Sequence, residues 1–407
     1  MTVSTKSACT SLALMFALLM GYATARAQSS SRAKRPSENP QATSQQNAAF
    51  DRAVKLGDDA RTAGRLDEAV ESYSNALHIR PKWPDGWWYL GAIFYEKDLY
   101  VQARDAFRNL IALDPNRGPV WGMLGLCEFQ TRDYEHAVTS LQRGRALGFD
   151  GNKELESVVR YHTGLLYIRF EYFEIAYEIL TEFVKLGNNS PKIAEAFGLI
   201  MLRMPFLPNE VPADKREEVL LAGDAGINMA ARRTDEARKA FETLVSRYPN
   251  DANVHYSFGV FQLSQDADAA VKEFQRALEI TPLHQPAMVQ LAFEYLKRSQ
   301  YNDALPLAER AVQIAPKMYP ARNVLGRVLL ELGQIDRAIK ELEEGVRLAP
   351  NIPEMHFALA RAYSRASRKE DAAREREIFK KLQEKYSQEG KSSGTGDAAN
   401  SNTKPNP

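Results

Sequence analysis

Prolines recur at a fixed period in this chain. Pro282, Pro316 and Pro350 lie thirty-four residues apart, and Pro81 and Pro115 keep the same spacing near the start. Proline ends helices, and between successive prolines the apolar residues twice show the three-to-four-residue spacing of an amphipathic helix. One such helix pair cannot cover its own apolar face, so it needs a similar pair on either side. The period therefore predicts a stack of helical hairpins.

Residues 84–117 contain both helices of one period. Apolar residues share one face of each predicted helix, and small residues stand where the two helices would cross; the positions are Trp87, Leu90, Gly91, Phe94, Ala103, Phe107 and Leu110. This spacing resembles the tetratricopeptide repeat, whose pattern is W-x2-L-G-x2-Y, then A-x3-F, then a proline. About eight further stretches keep parts of the pattern. The resemblance implies an all-α fold, a right-handed superhelical solenoid of about nine helix pairs that binds other macromolecules.

Residues 1–27 are typical of a secretory signal peptide. Lys6 supplies the positive charge, residues 12–20 form an apolar run, and residues 25–27 form a small-residue cleavage site. The alternative, an uncleaved membrane anchor, is disfavoured because the apolar run is short. Cleavage would leave no stable membrane span and a mature chain that starts at Gln28. We therefore expect export, to the periplasm or as a secreted protein, with a bacterial cell as the favoured source.

Composition divides the remaining chain into five parts. Residues 28–46 and 387–407 are rich in Ser, Asn and Gln or Gly, lack apolar periodicity and are predicted to be a disordered linker and a disordered tail. Residues 47–203 form an N-terminal repeat block and residues 216–386 a C-terminal one. Residues 204–215 form an insert with three prolines, which forbid helix there. We therefore expect the fifth repeat to have an interrupted entry.

The sequence contains no recognisable catalytic constellation. Its 53 basic and 52 acidic residues create no field that would attract nucleic acid. Nucleotide-binding, zinc-protease and C-x-x-C motifs are absent, and the six histidines share no metal-ligand spacing. Cys127 lies among leucines, where we expect a buried apolar side chain. We therefore predict a protein that is not an enzyme, with no catalytic residue, no cofactor and no metal.

The resemblance also implies where a partner would bind, because in this family the first helix of each pair lines a concave groove. The positions carried onto this chain include Trp88, Tyr95, Phe129, Tyr161, Ile168, Tyr256, Phe293, Arg327, Arg361 and Arg365. The groove would be aromatic and aliphatic with a basic far end, which suits a peptide with apolar anchors and some acidic residues. The alternative is that the aromatic side chains pack between repeats or against the insert, with Phe206 and Leu207 as groove occupants.

Three functions remain open at this point. The leading hypothesis is an exported, non-enzymatic scaffold that binds a protein or peptide partner, with cell-envelope assembly as its setting. The second is a component of a polysaccharide export or assembly system, because aromatic grooves can stack on a glycan. The third is an enzyme whose acid and base residues lie unrecognised on the helices, although no paired-carboxylate spacing points to it.

Overall fold

The computed structural model describes residues 40–392, and within this range the chain forms nineteen α-helices and no β-strand. It divides into two compact units, with the boundary between Arg216 and Glu217. The predicted signal peptide, residues 1–27, lies outside the described residues, as do most of the predicted linker and tail. No helix among the described residues is long and apolar enough to cross a membrane. The all-α fold of the prediction is confirmed.

Unit 1 contains four helical hairpins and one single helix. The helices are α1 (Pro40–Thr62), α2 (Leu66–Ile79), α3 (Pro84–Glu96), α4 (Tyr100–Leu113), α5 (Gly118–Gln130), α6 (Tyr134–Leu147), α7 (Lys153–Arg169), α8 (Phe173–Lys185) and α9 (Pro191–Met201). Two short 3-10 helices follow, Pro208–Glu210 and Ala213–Lys215. Helix α9 packs on α7 and α8 as a first helix would, but the prolines of the insert replace its second helix.

Unit 2 contains five helix pairs. The helices are α10 (Arg216–Ala230), α11 (Thr234–Arg247), α12 (Ala252–Gln262), α13 (Ala267–Ile280), α14 (Gln285–Lys297), α15 (Tyr301–Ile314), α16 (Tyr319–Glu331), α17 (Ile335–Leu348), α18 (Pro353–Arg365) and α19 (Lys369–Ser392). From α12 onward each helix packs against the next one along the chain. The predicted fifth repeat with an interrupted entry is therefore two features, the single helix α9 and the complete pair α10–α11.

A glycine in the first helix meets a large side chain of the second helix in most hairpins. A Cβ atom at Gly91 would lie 2.6 Å from the ring of Phe107, and one at Gly326 would lie 2.5 Å from Leu342. Both large side chains are fully buried. The same contact recurs in the pairs Gly57–Tyr73, Gly125–Leu141, Gly164–Leu180 and Gly259–Phe274. Close approach of the two backbones at these positions explains why small residues recur in the sequence pattern.

A second repeated contact joins the start of several hairpins to the turn that precedes them. The indole nitrogen of Trp87 donates a hydrogen bond of 2.9 Å to the carbonyl of Pro81, six residues earlier. Trp121 donates to Pro115 in the same way, also at 2.9 Å. In unit 2, Arg322 and the imidazoles of His255 and His356 make this contact with the prolines six residues before them, Pro316, Pro249 and Pro350. The proline carbonyl, which the end of the preceding helix leaves unpaired, thus gains a donor.

Two helix ends differ from the prediction. Helix α1 begins at Pro40, inside the segment 28–46 that was assigned to a disordered linker, and α19 extends to Ser392, inside the predicted tail 387–407. In α1 the side chains of residues 44–49 are all exposed, and burial starts at Phe50. Helical turns whose side chains are exposed show no apolar periodicity in the sequence, which is why the beginning of α1 was not predicted.

Candidate functional site

The ten predicted groove residues all lie on first helices of the pairs. Five belong to unit 1: Trp88 and Tyr95 on α3, Phe129 on α5, and Tyr161 and Ile168 on α7. Five belong to unit 2: Tyr256 on α12, Phe293 on α14, Arg327 on α16, and Arg361 and Arg365 on α18. We call these two surfaces the first-helix face of unit 1 and the first-helix face of unit 2.

Aromatic side chains on the first-helix face of unit 1 pack against neighbouring helices. The ring of Trp88 lies 5.7 Å from that of Phe107 on the second helix of the same pair. The ring of Phe129 lies 4.8 Å from the imidazole of His162 in the next pair. Phe129 and Trp88 are nevertheless only partly buried. These side chains therefore join the repeats together and still offer part of their surface outward.

Burial sets the protonation of the polar groups beside these rings. It raises the pKa of Tyr161 to about 12 and lowers the pKa of His162 below its ordinary value. A tyrosine that is neutral and a histidine that resists protonation both fit a dry interface between helices. Neither group is poised to exchange a proton near neutral pH, so the surroundings favour packing over acid–base chemistry.

The proline-rich insert is held at the end of helix α7. The guanidinium of Arg169 donates hydrogen bonds of 3.1 Å to the carbonyl of Pro205 and to the carboxylate of Glu210. Leu207 and Val211 of the insert are buried, and so is Ile168 beside Arg169. Of the two residues predicted to occupy the groove, Leu207 is buried while Phe206 is partly exposed. The insert thus forms an ordered segment anchored on a first helix of unit 1.

The first-helix face of unit 2 changes from apolar to basic along the chain. Tyr256 is buried against Phe274 and His284. The guanidinium of Arg327 lies over the ring of Phe293, 4.9 Å from its centroid, which is a favourable cation–π geometry. Further on, Arg361 and Arg365 both reach one carboxylate, that of Glu331, at 2.9 and 3.4 Å.

Arg327 differs from its two neighbours because Glu331 attracts it without forming an ion pair with it among the described residues. Within residues 40–392 no carboxylate forms an ion pair with its guanidinium, whereas Arg361 and Arg365 share Glu331. Burial, followed by the like charge of Arg361, lowers the pKa of Arg327 below its ordinary value. Arginine stays protonated under such a shift. The face therefore contains a partly buried positive charge that no ion pair within residues 40–392 neutralises.

Other potentially reactive side chains are buried or hydrogen-bonded within the repeats. Cys127 is fully buried, and burial raises the pKa of its thiol well above the ordinary value, so the thiolate that nucleophilic chemistry needs is disfavoured. No group of three His, Cys, Asp or Glu side chains within the described range is arranged to hold a metal ion. His255 and His356 lie between a proline carbonyl and a glutamate, which is a fastening role.

Sequence reasoning missed three residues of these faces, namely Arg169, His162 and Glu331. Each contacts a side chain that is distant along the chain: Glu210 for Arg169, Phe129 for His162, and Arg361 for Glu331. Arg169 could have been found from its place directly after Ile168, at the end of a first helix. Nothing local in the sequence marks His162 or Glu331.

Family models match three segments of the chain. Two tetratricopeptide-repeat models match residues 228–284 and 295–362, and a TPR-repeat model matches residues 57–98. The matches fall in both units. They include the crossing pairs Gly57–Tyr73, Gly259–Phe274 and Gly326–Leu342.

Three similar proteins each match part of this chain. The general transcriptional corepressor trfA of Dictyostelium discoideum is 30% identical over 142 residues, which are 35% of this chain and 10% of that protein. The BBSome complex member BBS4 of Bos taurus is 21% identical over 199 residues, 40% of this chain and 37% of that protein. Among solved structures, MamA from Desulfovibrio magneticus RS-1 is 23% identical, with a TM-score of 0.38 over 42% of this chain and 97% of that one.

Proposed function

We propose that this chain, a tetratricopeptide-repeat protein, is an exported, non-enzymatic scaffold that binds a protein or peptide partner on the first-helix faces of its repeats. Nearly all of the described chain lies in helical hairpins or their turns. The repeats therefore carry the function themselves, and side chains on their surfaces are the means of recognition.

One observation carries the proposal. Large side chains on several first helices, such as Trp88, Phe129 and Phe293, remain partly exposed although the hairpins around them are closely packed. Aromatic side chains that are fixed by their neighbours and still offer surface are well suited to anchor a partner, because little conformational entropy is lost on binding.

A pull-down with the mature chain, starting at Gln28, tests the proposal. We expect a partner that wild type retains to be lost by the double variant Trp88→Ala/Phe129→Ala. The matched control is Val101→Ala/Ile175→Ala, because both residues are exposed apolar side chains on second helices. Thermal unfolding of each variant separates lost binding from lost folding. Equal retention by both variants, or no specific partner for wild type, would contradict the proposal.

Export is the second part of the proposal, and residues 1–27 support it. Cell fractionation followed by N-terminal sequencing tests it directly. We expect the protein in the periplasm or the medium, beginning at Gln28. A cytosolic protein that keeps Met1 would exclude export and the cell-envelope setting with it.

A polysaccharide component is the alternative function. The observation that favours it is the partial exposure of Trp88 and Tyr95 on one helix, because aromatic faces can stack on sugars. A glycan array with the mature chain distinguishes the two: sugar binding that Trp88→Ala abolishes supports the alternative, and a blank array supports a protein or peptide partner.

A further inference from the structure

We propose that the first-helix face of unit 2 around Arg327 binds an extended peptide segment that carries a side-chain carboxylate next to an apolar residue. The inference rests on the proposed function and assigns the recognition of an acidic partner to one face. It follows from four observations: the unpaired charge, the surplus of arginine, the exposed apolar surface beside it, and a contact of the same kind that the protein makes within its own chain.

The unpaired charge of Arg327 is the first observation. Its guanidinium rests on Phe293, which fixes its position and limits its hydration. A guanidinium presents a planar set of donors that match the two oxygens of a carboxylate. A ligand carboxylate would therefore supply the partner that the described residues do not.

The charge balance of the face is the second observation. Arg327, Arg361 and Arg365 contribute three positive charges, and Glu331 is the carboxylate that two of them share. Lys297, the basic residue on the preceding first helix, is already paired with Glu294 at 2.8 Å. The surplus positive charge of the face is thus concentrated at Arg327 and the outer arginines, so an anionic group is attracted there in preference to the rest of the face.

The apolar surface beside the arginines is the third observation. Phe357, one turn before Arg361 on α18, keeps 49% of its surface exposed although its ring lies 5.4 Å from that of Phe379. An extended peptide can place an apolar side chain on Phe357 while its carboxylate meets Arg327.

The fourth observation is a contact that the protein makes in unit 1 with its own insert. Arg169 stands five residues after the small residue Gly164, and Arg365 stands five residues after Ala360, so the two arginines hold the same place in their repeats. Arg169 binds Glu210, the acidic residue of a proline-rich segment whose Leu207 is buried three residues earlier. A first helix of this protein therefore already binds an acidic residue that lies three residues after a buried leucine.

The corresponding place in unit 2 has no such segment among the described residues. Arg365 and Arg361 meet only Glu331 of their own unit, while Arg169 binds the insert. The first-helix face of unit 2 is consequently the one whose arginines are open to a partner.

Selection from a phage-displayed library of random twelve-residue peptides tests the inference. The full mature chain is immobilised, enriched peptides are sequenced, and the affinity of the most enriched peptide is measured by fluorescence anisotropy. We expect peptides in which Asp or Glu lies within about four residues of Leu, Ile or an aromatic residue. Changing that acidic residue to its amide should weaken binding at least about tenfold.

Matched variants locate the site. Arg327→Gln and, separately, Arg361→Gln should each weaken the peptide about tenfold or more. Arg361 is exposed, so its variant remains informative if Arg327→Gln fails to fold. The control, Arg337→Gln, removes the same charge from an exposed side chain on the second helix α17 and should leave affinity unchanged.

Three outcomes overturn the inference. Enriched peptides without acidic residues would show that the ligand chemistry is wrong. Binding that survives Arg327→Gln and Arg361→Gln but is lost in Trp88→Ala/Phe129→Ala would move recognition to unit 1 and leave the proposed function standing. Failure to enrich any peptide would reject short acidic segments as ligands, while the pull-down above would still decide whether the protein is a scaffold.

Discussion

Replacing Gly91 with leucine tests the close helix crossing that most of the hairpins share. An added Cβ would lie 2.6 Å from Cε1 and 2.8 Å from Cζ of Phe107, a ring that is fully buried and cannot swing into solvent. Overpacking of a close-packed site costs about 3 kcal/mol when a whole leucine side chain is inserted. The better helix propensity of leucine over glycine offsets about 1 kcal/mol. We therefore expect a net loss of about 2 kcal/mol in the free energy of unfolding, or about 4–8 °C in Tm.

A double-mutant cycle assigns this loss to the ring of Phe107. Phe107→Ala alone should cost about 3–5 kcal/mol because it leaves a cavity. In that background Gly91→Leu should be neutral or stabilising, since the new side chain fills the space, giving an interaction energy of about 2–3 kcal/mol. Urea unfolding, followed by far-ultraviolet circular dichroism, measures the unfolding free energy of wild type, of both single variants and of the double variant, each as the mature chain.

The control for the cycle is Asn109→Leu, which adds a leucine at an exposed position of α4 and should change the unfolding free energy by less than about 0.5 kcal/mol. If Gly91→Leu costs the same with and without the ring, the crossing does not constrain the hairpin and the account of the repeat pattern fails.

Three further predictions concern stability and reactivity. Trp121→Ala should lower the unfolding free energy by about 2 kcal/mol, because a partly buried ring and its hydrogen bond to the Pro115 carbonyl are lost together. Trp121→Phe keeps an aromatic ring but removes the N–H donor, so it should lower the unfolding free energy by less in the same urea titration. Burial lowers the pKa of His255, but its hydrogen bonds to Glu273 and the Pro249 carbonyl outweigh this and leave the pKa raised above 6.5. Protonated His255 therefore stabilises the folded protein fully below that pH, and this stabilisation is lost as pH rises through the folded-state pKa. The free energy of unfolding measured from pH 5 to 8 should fall less steeply in His255→Gln than in wild type, and an unchanged profile would contradict the assignment. Cys127 should react with a thiol reagent only in denaturant, because it is buried and its thiol pKa is raised; rapid labelling of the native protein would show that α5 is not packed as described.

The sequence predicted the repeated core well because its determinants are local. The small residue at Gly91 and the large one at Phe107 lie sixteen residues apart inside one hairpin, so the period and the residue sizes together define the contact. The crossing glycines and the prolines that end the hairpins can therefore be identified from the sequence alone. The three prolines of the insert were equally informative, since together they exclude a continuous α-helix there and leave only two short 3-10 helices.

The candidate site was harder to predict because its contacts join residues far apart in the chain. Whether Phe129 faces outward or packs between repeats depends on His162 in the next pair, and whether Arg361 is free depends on Glu331. A first-helix position is shared by packing and recognition, so the repeat pattern alone cannot separate the two roles. The exposed beginning of α1 was missed for a related reason, since exposed helical turns carry no apolar signal.

Hydrogen–deuterium exchange of the mature protein, with and without its captured partner, tests the central claim most directly. The account predicts that binding slows exchange in first helices, with the largest effect in α14, α16 and α18 if the partner is acidic, while the second helices α15 and α17 change little. Protection confined to second helices or to the turns, with the first helices unchanged, would contradict recognition on the first-helix faces.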